Sequence, residues 1–149
     1  MRTIIQRVSD ASVSVDSEVI SQIGTGVLIF LGISPNDGIN EISWLTRKIA
    51  NLRIFNDSSG VMNLSLTDVE GDALVVSQFT LMADTRKGNR PSYINAAKPE
   101  SAIPLYEAFI NSLEQELKKK VSTGIFGADM KIRLLNDGPV TIILDTENK

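Results

Sequence analysis

The sequence predicts an α/β protein: one compact domain, residues 1–149, in which mixed β-sheets are layered against helices. Short apolar, β-branched runs crowd the first third and return near the end, as strands do. Between them, two stretches place apolar residues three and four apart, the stripe of an amphipathic helix. At 149 residues and 42% hydrophobic content the chain has enough material for its own core.

Taken in order, Thr3 to Val8, Ala11 to Val15, Val19 to Ile23 and Val27 to Ile33 read as strands with turn residues between them. Pro35-Asn36-Asp37-Gly38 breaks that pattern, and Ile42, Leu45, Ile49 and Leu52 then mark the first helix. Arg53 to Phe55 reads as a short strand before a turn at Asn56 to Gly60. Ala73 to Phe79 is a continuous apolar run, the mark of a buried strand. The second helix is expected from about Ser101, with Tyr106, Phe109, Ile110, Leu113 and Leu117 facing inward. Pro104 is tolerable in its first turn, and Lys118 to Lys120 suit the negative end of its dipole. Two last strands, about Met130 to Leu135 and Val140 to Leu144, flank Asn136-Asp137-Gly138-Pro139, and the polar tail Asp145 to Lys149 is expected to fray.

Composition excludes more than it includes. The net charge of −3 identifies no partner, so a nucleic-acid contact needs a local basic patch. No apolar run is long enough to span a bilayer, and MRTIIQRVSDASVSV lacks the apolar block of a signal peptide. A soluble cytoplasmic protein with no membrane partner is therefore expected. There is no Cys and no His. Thiolate nucleophiles, Ser-His-Asp triads and His- or Cys-ligated zinc are all excluded. Proton transfers in any enzyme built from this chain fall to carboxylates, Lys, Tyr, hydroxyls, backbone groups or the substrate.

Four stretches are candidates for chemistry. Ser77-Gln78-Phe79-Thr80-Leu81 closes the buried apolar run, and strand ends are where α/β sheets bind ligands; the alternative is a strand simply entering a loop. Residues 84–99 hold Arg86, Lys87, Arg90 and Lys98 with no acid between Thr85 and Pro99. That charge suits phosphate, or an ordinary solvated loop. Asp137-Gly138-Pro139 reads as a hairpin turn or as a rigid backbone corner that meets a ligand through its carbonyls. Gly124-Ile125-Phe126-Gly127-Ala128 either lines a pocket for a flat ring or leads into the next strand.

SQFTL at 77–81, KGNRPSY at 87–93, TGIFGADM at 123–130, NDGPVT at 136–141 and the opening MRTIIQRV together resemble the D-aminoacyl-tRNA deacylases. The resemblance runs in order from Met1 to about Leu144. It implies a homodimeric ester hydrolase that needs no cofactor or metal and releases free tRNA and D-amino acid from D-aminoacyl-tRNA. It implies a cis Gly138-Pro139 pair that reaches into the partner's active site, where its carbonyls leave no room for an L side chain. Glycyl-tRNA, lacking a side chain, would then leak through. Ser77, Gln78, Phe79 and Thr80 would line the site of the terminal adenosine and ester, with Thr80 read either as nucleophile or as a positioning residue beside the ribose 2′-hydroxyl. Arg7 would hold the corner, and Phe126, Gly127 and Ala128 would bind substrate. A related L-alanine editing enzyme carries Ala where Phe79 stands and a bulkier residue where Val140 stands, so both residues point to the D-specific branch. The competing reading is a non-catalytic tRNA- or nucleotide-binding module.

Overall fold

Both halves of the N-terminal β pattern belong to one long strand, β1 (Arg2–Val15), in a computed structural model that describes residues 1–148. After it come β2 (Glu18–Ile23), β3 (Gly26–Gly32), α1 (Ile39–Ala50), the small hairpin of β4 (Phe55–Asn56) and β5 (Met62–Leu64), and β6 (Asp72–Ser77). A single 3-10 turn over Phe79–Met82 follows, then α2 (Pro99–Leu117), β7 (Ser122–Thr123) and β8 (Lys131–Asp145).

β1 organises the sheet. Its first half pairs antiparallel with β3, from Arg2↔Gly32 to Val8↔Gly26, and its second half with β2. β8 runs antiparallel along the opposite edge, from Arg2↔Asp145 to Ser14↔Lys131. β6 runs parallel to both its neighbours, β3 and β7, which makes the sheet mixed as expected.

The runs in β3 and β6 are apolar without alternation because both faces are covered. Val27, Ile29, Leu31, Ala73 and Val75 pack under the helices with Ile42, Leu45, Ile49, Phe109 and Leu113. On the other face Leu28, Leu74 and Val76 meet Val8, Ala11, Val13 and Ile23, with Ile132 and Leu134 closing over them. The far half of β1, β2 and the start of β8 therefore curl back over the sheet, giving a near-barrel with helices on one side. No helix is long and apolar enough to cross a membrane.

Several sequence expectations change. β6 stops at Ser77 rather than Phe79. α2 begins at Pro99, so Pro104 lies beyond the first turn and cannot supply the amide that Glu100 would otherwise receive. The tail is tied down. Arg2 Nε donates to Asp145 Oδ2 at 2.8 Å, Thr146 is buried, and its N–H donates to Met1 O at 2.9 Å. The Met1 ammonium donates in turn to Thr146 Oγ1 and Asp37. Lys149 lies outside the described residues.

Candidate active site

β6 ends where Gln78 N–H donates to Leu31 O at 2.8 Å and the chain turns. Leu81 N–H then returns to Gln78 O at 3.2 Å and Ala83 N–H to Thr80 O at 3.1 Å. The turn closes over Gly32, where a Cβ would stand 3.0 Å from Leu81 Cβ and 3.1 Å from Gln78 O. Gln78 Nε2 donates to Thr80 Oγ1, which leaves the hydroxyl's own hydrogen available. The amides of Phe79 and Thr80 open the turn, so neither has an acceptor within it. Phe79 is 55% exposed, its ring edge-on to Tyr93 at 5.0 Å. The turn thus gathers a hydroxyl, a side-chain amide, two backbone donors and an aromatic face. None of these is a base.

Residues 124–128 arrive at the same end of the sheet because β7 is parallel to β6. Val75 O accepts from both Gly124 N–H at 3.1 Å and Tyr106 OH at 2.9 Å. Burial pushes the Tyr106 hydroxyl above its ordinary range, which keeps it a donor. Phe126 is half-buried with its ring edge-on to Tyr106 at 5.6 Å, so one side belongs to the core. Gly127, at φ +77°, and Ala128, whose N–H donates to Ile125 O, form a tight turn beside it.

The hairpin reading of Asp137-Gly138-Pro139 is overturned. Residues on both sides of it pair with β1, so β8 is one strand carrying a bulge. Between the pairs Gln6↔Thr141 and Val8↔Asn136, β1 advances by two residues and β8 by five. The Gly138–Pro139 peptide is cis and both residues are exposed. Arg7, only 6% exposed, secures the bulge from beneath. Its Nε donates to Asp137 O at 3.1 Å and lies 3.2 Å from Asp137 Oδ2, while Nη1 donates to Ile54 O at 2.6 Å. Gly138 has φ +121°, and a Cβ there would lie 2.8 Å from Arg7 Nη2 and 2.9 Å from Val140 Cγ2. Only glycine fits that conformation and that gap. Sequence reasoning missed Asn136, which looked like a turn former. Its Nδ2 donates to both Arg7 O and Val140 O at 2.9 Å.

The expected site residues therefore fall into two groups. Ser77 pairs with Leu31 and Leu31 with Thr3, whereas the bulge sits opposite Arg7. Four residues along the strands amount to about 13 Å, and three strand spacings across the sheet to about 14 Å. Within one chain the corner and the turn do not meet.

The basic loop is a small hairpin closed by Asp84 and Ser92, with hydrogen bonds of 2.8 and 2.9 Å. Asp84, just outside the acid-free stretch, is ion-paired with Arg86. Lys87, Arg90 and Lys98 are exposed and have no ion-pair partner among the described residues. Hydrogen bonds from the Arg86 side chain, then from its backbone, hold the Asp84 carboxyl down to about 2. A carboxylate depressed on folding stabilises above its unfolded value and loses that contribution as pH falls through the folded one. The hairpin is thus expected to keep this pair at pH 4 and release it toward pH 2. Titration of the Asp84 carboxyl by NMR checks this; a midpoint near 4 contradicts it.

Residues 4–145 match the family model described as D-Tyr-tRNA(Tyr) deacylase. The chain belongs to the D-aminoacyl-tRNA deacylase family. It is a hydrolase of that class. The family's D-aminoacyl-tRNA deacylase from Porphyromonas gingivalis is 64% identical over 149 residues, covering 100% of this chain and 99% of that protein. The deacylase of Flavobacterium psychrophilum is 61% identical with the same coverage. A solved structure described as c-Myc DNA unwinding element binding protein superposes with a TM-score of 0.92 at 42% identity, covering 98% of this chain and 99% of that one. Another, described as a probable eukaryotic D-amino acid tRNA deacylase, gives 0.83 at 17% identity over 96% and 97% of the two chains, and bears on the fold alone.

Proposed function

We propose that the protein removes D-amino acids from tRNA in the cytoplasm, acting as a homodimer in which each subunit's Gly138-Pro139 corner selects against L substrates in the other's site. The observation that carries this reading is the separation of the two groups of site residues. A corner exposed on an outer strand, fixed by a buried arginine and far from its own catalytic turn, is built to act on a second molecule. Leu135 and Ile143, 55% and 65% exposed on the same strand, supply apolar surface for that second copy to cover.

In this arrangement the terminal adenosine rests against Phe79 and the segment 126–128, and the ester carbonyl faces the amides of Phe79 and Thr80. Developing oxyanion charge is met by those two fixed dipoles. An aminoacyl ester is already activated, and the neighbouring ribose 2′-hydroxyl assists water without any enzymic base. Thr80, oriented by Gln78, positions the ester. The carbonyls of the corner stand beside the α-carbon, where an L side chain would collide and a D side chain of any size points away. Glycyl-tRNA meets no wall and is hydrolysed as well. Lys87, Arg90 and Lys98 lie where an acceptor stem leaving the site finds positive charge.

Hydrolysis of D-tyrosyl-tRNA beside L-tyrosyl-tRNA, with a metal chelator present, tests the reading. Loss of the D ester alone is expected; loss of neither, with tRNA still bound, would leave a binding module. Thr80→Val is expected to lower kcat/KM about five- to tenfold, the effect of one lost hydrogen bond. A nucleophile's removal costs about 10⁴-fold or more and would restore the covalent alternative.

A further inference from the structure

The bulge in β8 leaves a gap in the sheet that a side chain fills. Across it, residues 137 to 140 have no register partner on β1, and proline has no N–H to offer. The carbonyls of Arg7 and Val140 stand at the two ends of that unpaired stretch. Both are taken up by the Asn136 carboxamide, whose Nδ2 donates to each at 2.9 Å. Its other end is held too, since Thr141 Oγ1 donates to Asn136 Oδ1 at 3.4 Å and Gln6 Nε2 donates to Thr141 Oγ1 at 3.3 Å. Asn136 is half-buried at the foot of the corner, and its backbone begins the excursion that ends at Val140.

We propose that Asn136 is a positioning residue for chiral selection: its carboxamide ties the base of the bulge to β1 and sets how far the Gly138-Pro139 corner projects. The inference rests on the corner reading above and adds the group that holds its two ends together. Arg7 grips the corner at Asp137, on the entering side; Asn136 joins the leaving side, at Val140, to Arg7 on β1. The chemistry is specific. Two N–H bonds on one nitrogen can serve two carbonyls at once. An aspartate of the same shape offers oxygen to both, turning two attractions into two repulsions.

The test compares D- and L-tyrosyl-tRNA hydrolysis by Asn136→Asp, Gly138→Ala, the double variant, and Asn51→Asp as a control. Asn51 makes a similar amide-to-carbonyl bond, Nδ2 to Arg47 O at 2.8 Å, at the end of α1 and away from the corner. Asn136→Asp is expected to raise L-ester hydrolysis relative to D by about tenfold or more, and to add little in the Gly138→Ala background, because residues acting through one element are not additive. Asn51→Asp changes thermal stability without moving the ratio. If Asn136→Asp does not fold, Asn136→Ser, whose shorter side chain has one O–H and cannot serve both carbonyls, carries the same expectation. An unchanged ratio in the Asn136 variant, with the ratio lost in Gly138→Ala, overturns the inference. An unchanged ratio in Gly138→Ala itself overturns the corner reading instead.

Discussion

Gly138→Ala is expected to cut the preference for D- over L-aminoacyl-tRNA by at least about tenfold, equivalent to about 1.4 kcal/mol of transition-state discrimination. The added Cβ cannot be absorbed in place, because Arg7 Nη2 at 2.8 Å and Val140 Cγ2 at 2.9 Å close the gap from both sides. One of three things must move: the arginine, the valine, or the corner. Arg7 is committed to Ile54 O and Asp137 O, and Val140 packs against the helix-side core. The exposed corner yields most cheaply, and its displacement is what the selectivity assay reads. A positive φ also strains alanine, so stability falls by about 1–2 kcal/mol, which is about 4 °C of melting temperature in a chain of this size. An unchanged D:L ratio with the melting loss present would separate strain from selection and count against the corner.

The second large effect is at Arg7. Its guanidinium is buried and bridges three stretches of chain: β1 itself, the β8 bulge, and the entry to the β4–β5 hairpin through Ile54 O and Asn56 Oδ1. Arg7→Ala strands two carbonyls that depended on it, at about 1–3 kcal/mol each. Against a total stability of about 5–15 kcal/mol, that is a severe loss. Arg7→Lys keeps the charge but replaces a fork with a single ammonium, which cannot reach Ile54 O and Asp137 O together. A loss of about 2 kcal/mol is expected for the lysine variant, about 6 °C by thermal melting, with L-ester hydrolysis rising alongside. A lysine variant that melts within 1 °C of the parent would show the fork to be dispensable.

What could be read from the sequence follows from which interactions are local. The stripe Ile42, Leu45, Ile49 and the face Tyr106, Phe109, Leu113 declare their helices because a helix sets its own period, and all six residues are buried. The doubly apolar runs of β3 and β6 were equally plain. The continuity of β1 and β8 was not. Whether Asn136-Asp137-Gly138-Pro139 is a turn or a bulge depends on whether its two flanks pair with each other or with a third strand, and that strand lies about 130 residues earlier. Composition is the same in both cases. The tail misled for a similar reason: Thr146 is polar, but its partner is Met1 at the other end of the chain.

For the site, residue types and spacing bounded the chemistry without placing it. The absence of His and Cys pointed toward backbone- and substrate-assisted hydrolysis. Ser77 to Thr80 and Phe126 to Ala128 share one end of the sheet because β6 and β7 are parallel, a pairing that two-residue β7 gave no means of predicting. The roles of Arg7 and of Gly138-Pro139 came from the resemblance. The geometry adds Asn136, and adds the separation of the corner from the turn.

Mixed dimers probe that separation directly. One protomer carries Gly138→Ala with an intact turn; the other carries Phe79→Ala with an intact corner. Action in trans predicts that the mixed dimer regains one complete site, with about half the parent rate toward D-tyrosyl-tRNA and the parent's full rejection of L-tyrosyl-tRNA, although neither homodimer has both. Action in cis leaves every site with one defect. A mixed dimer that hydrolyses L-tyrosyl-tRNA at about the mean of the two homodimer rates would contradict action in trans.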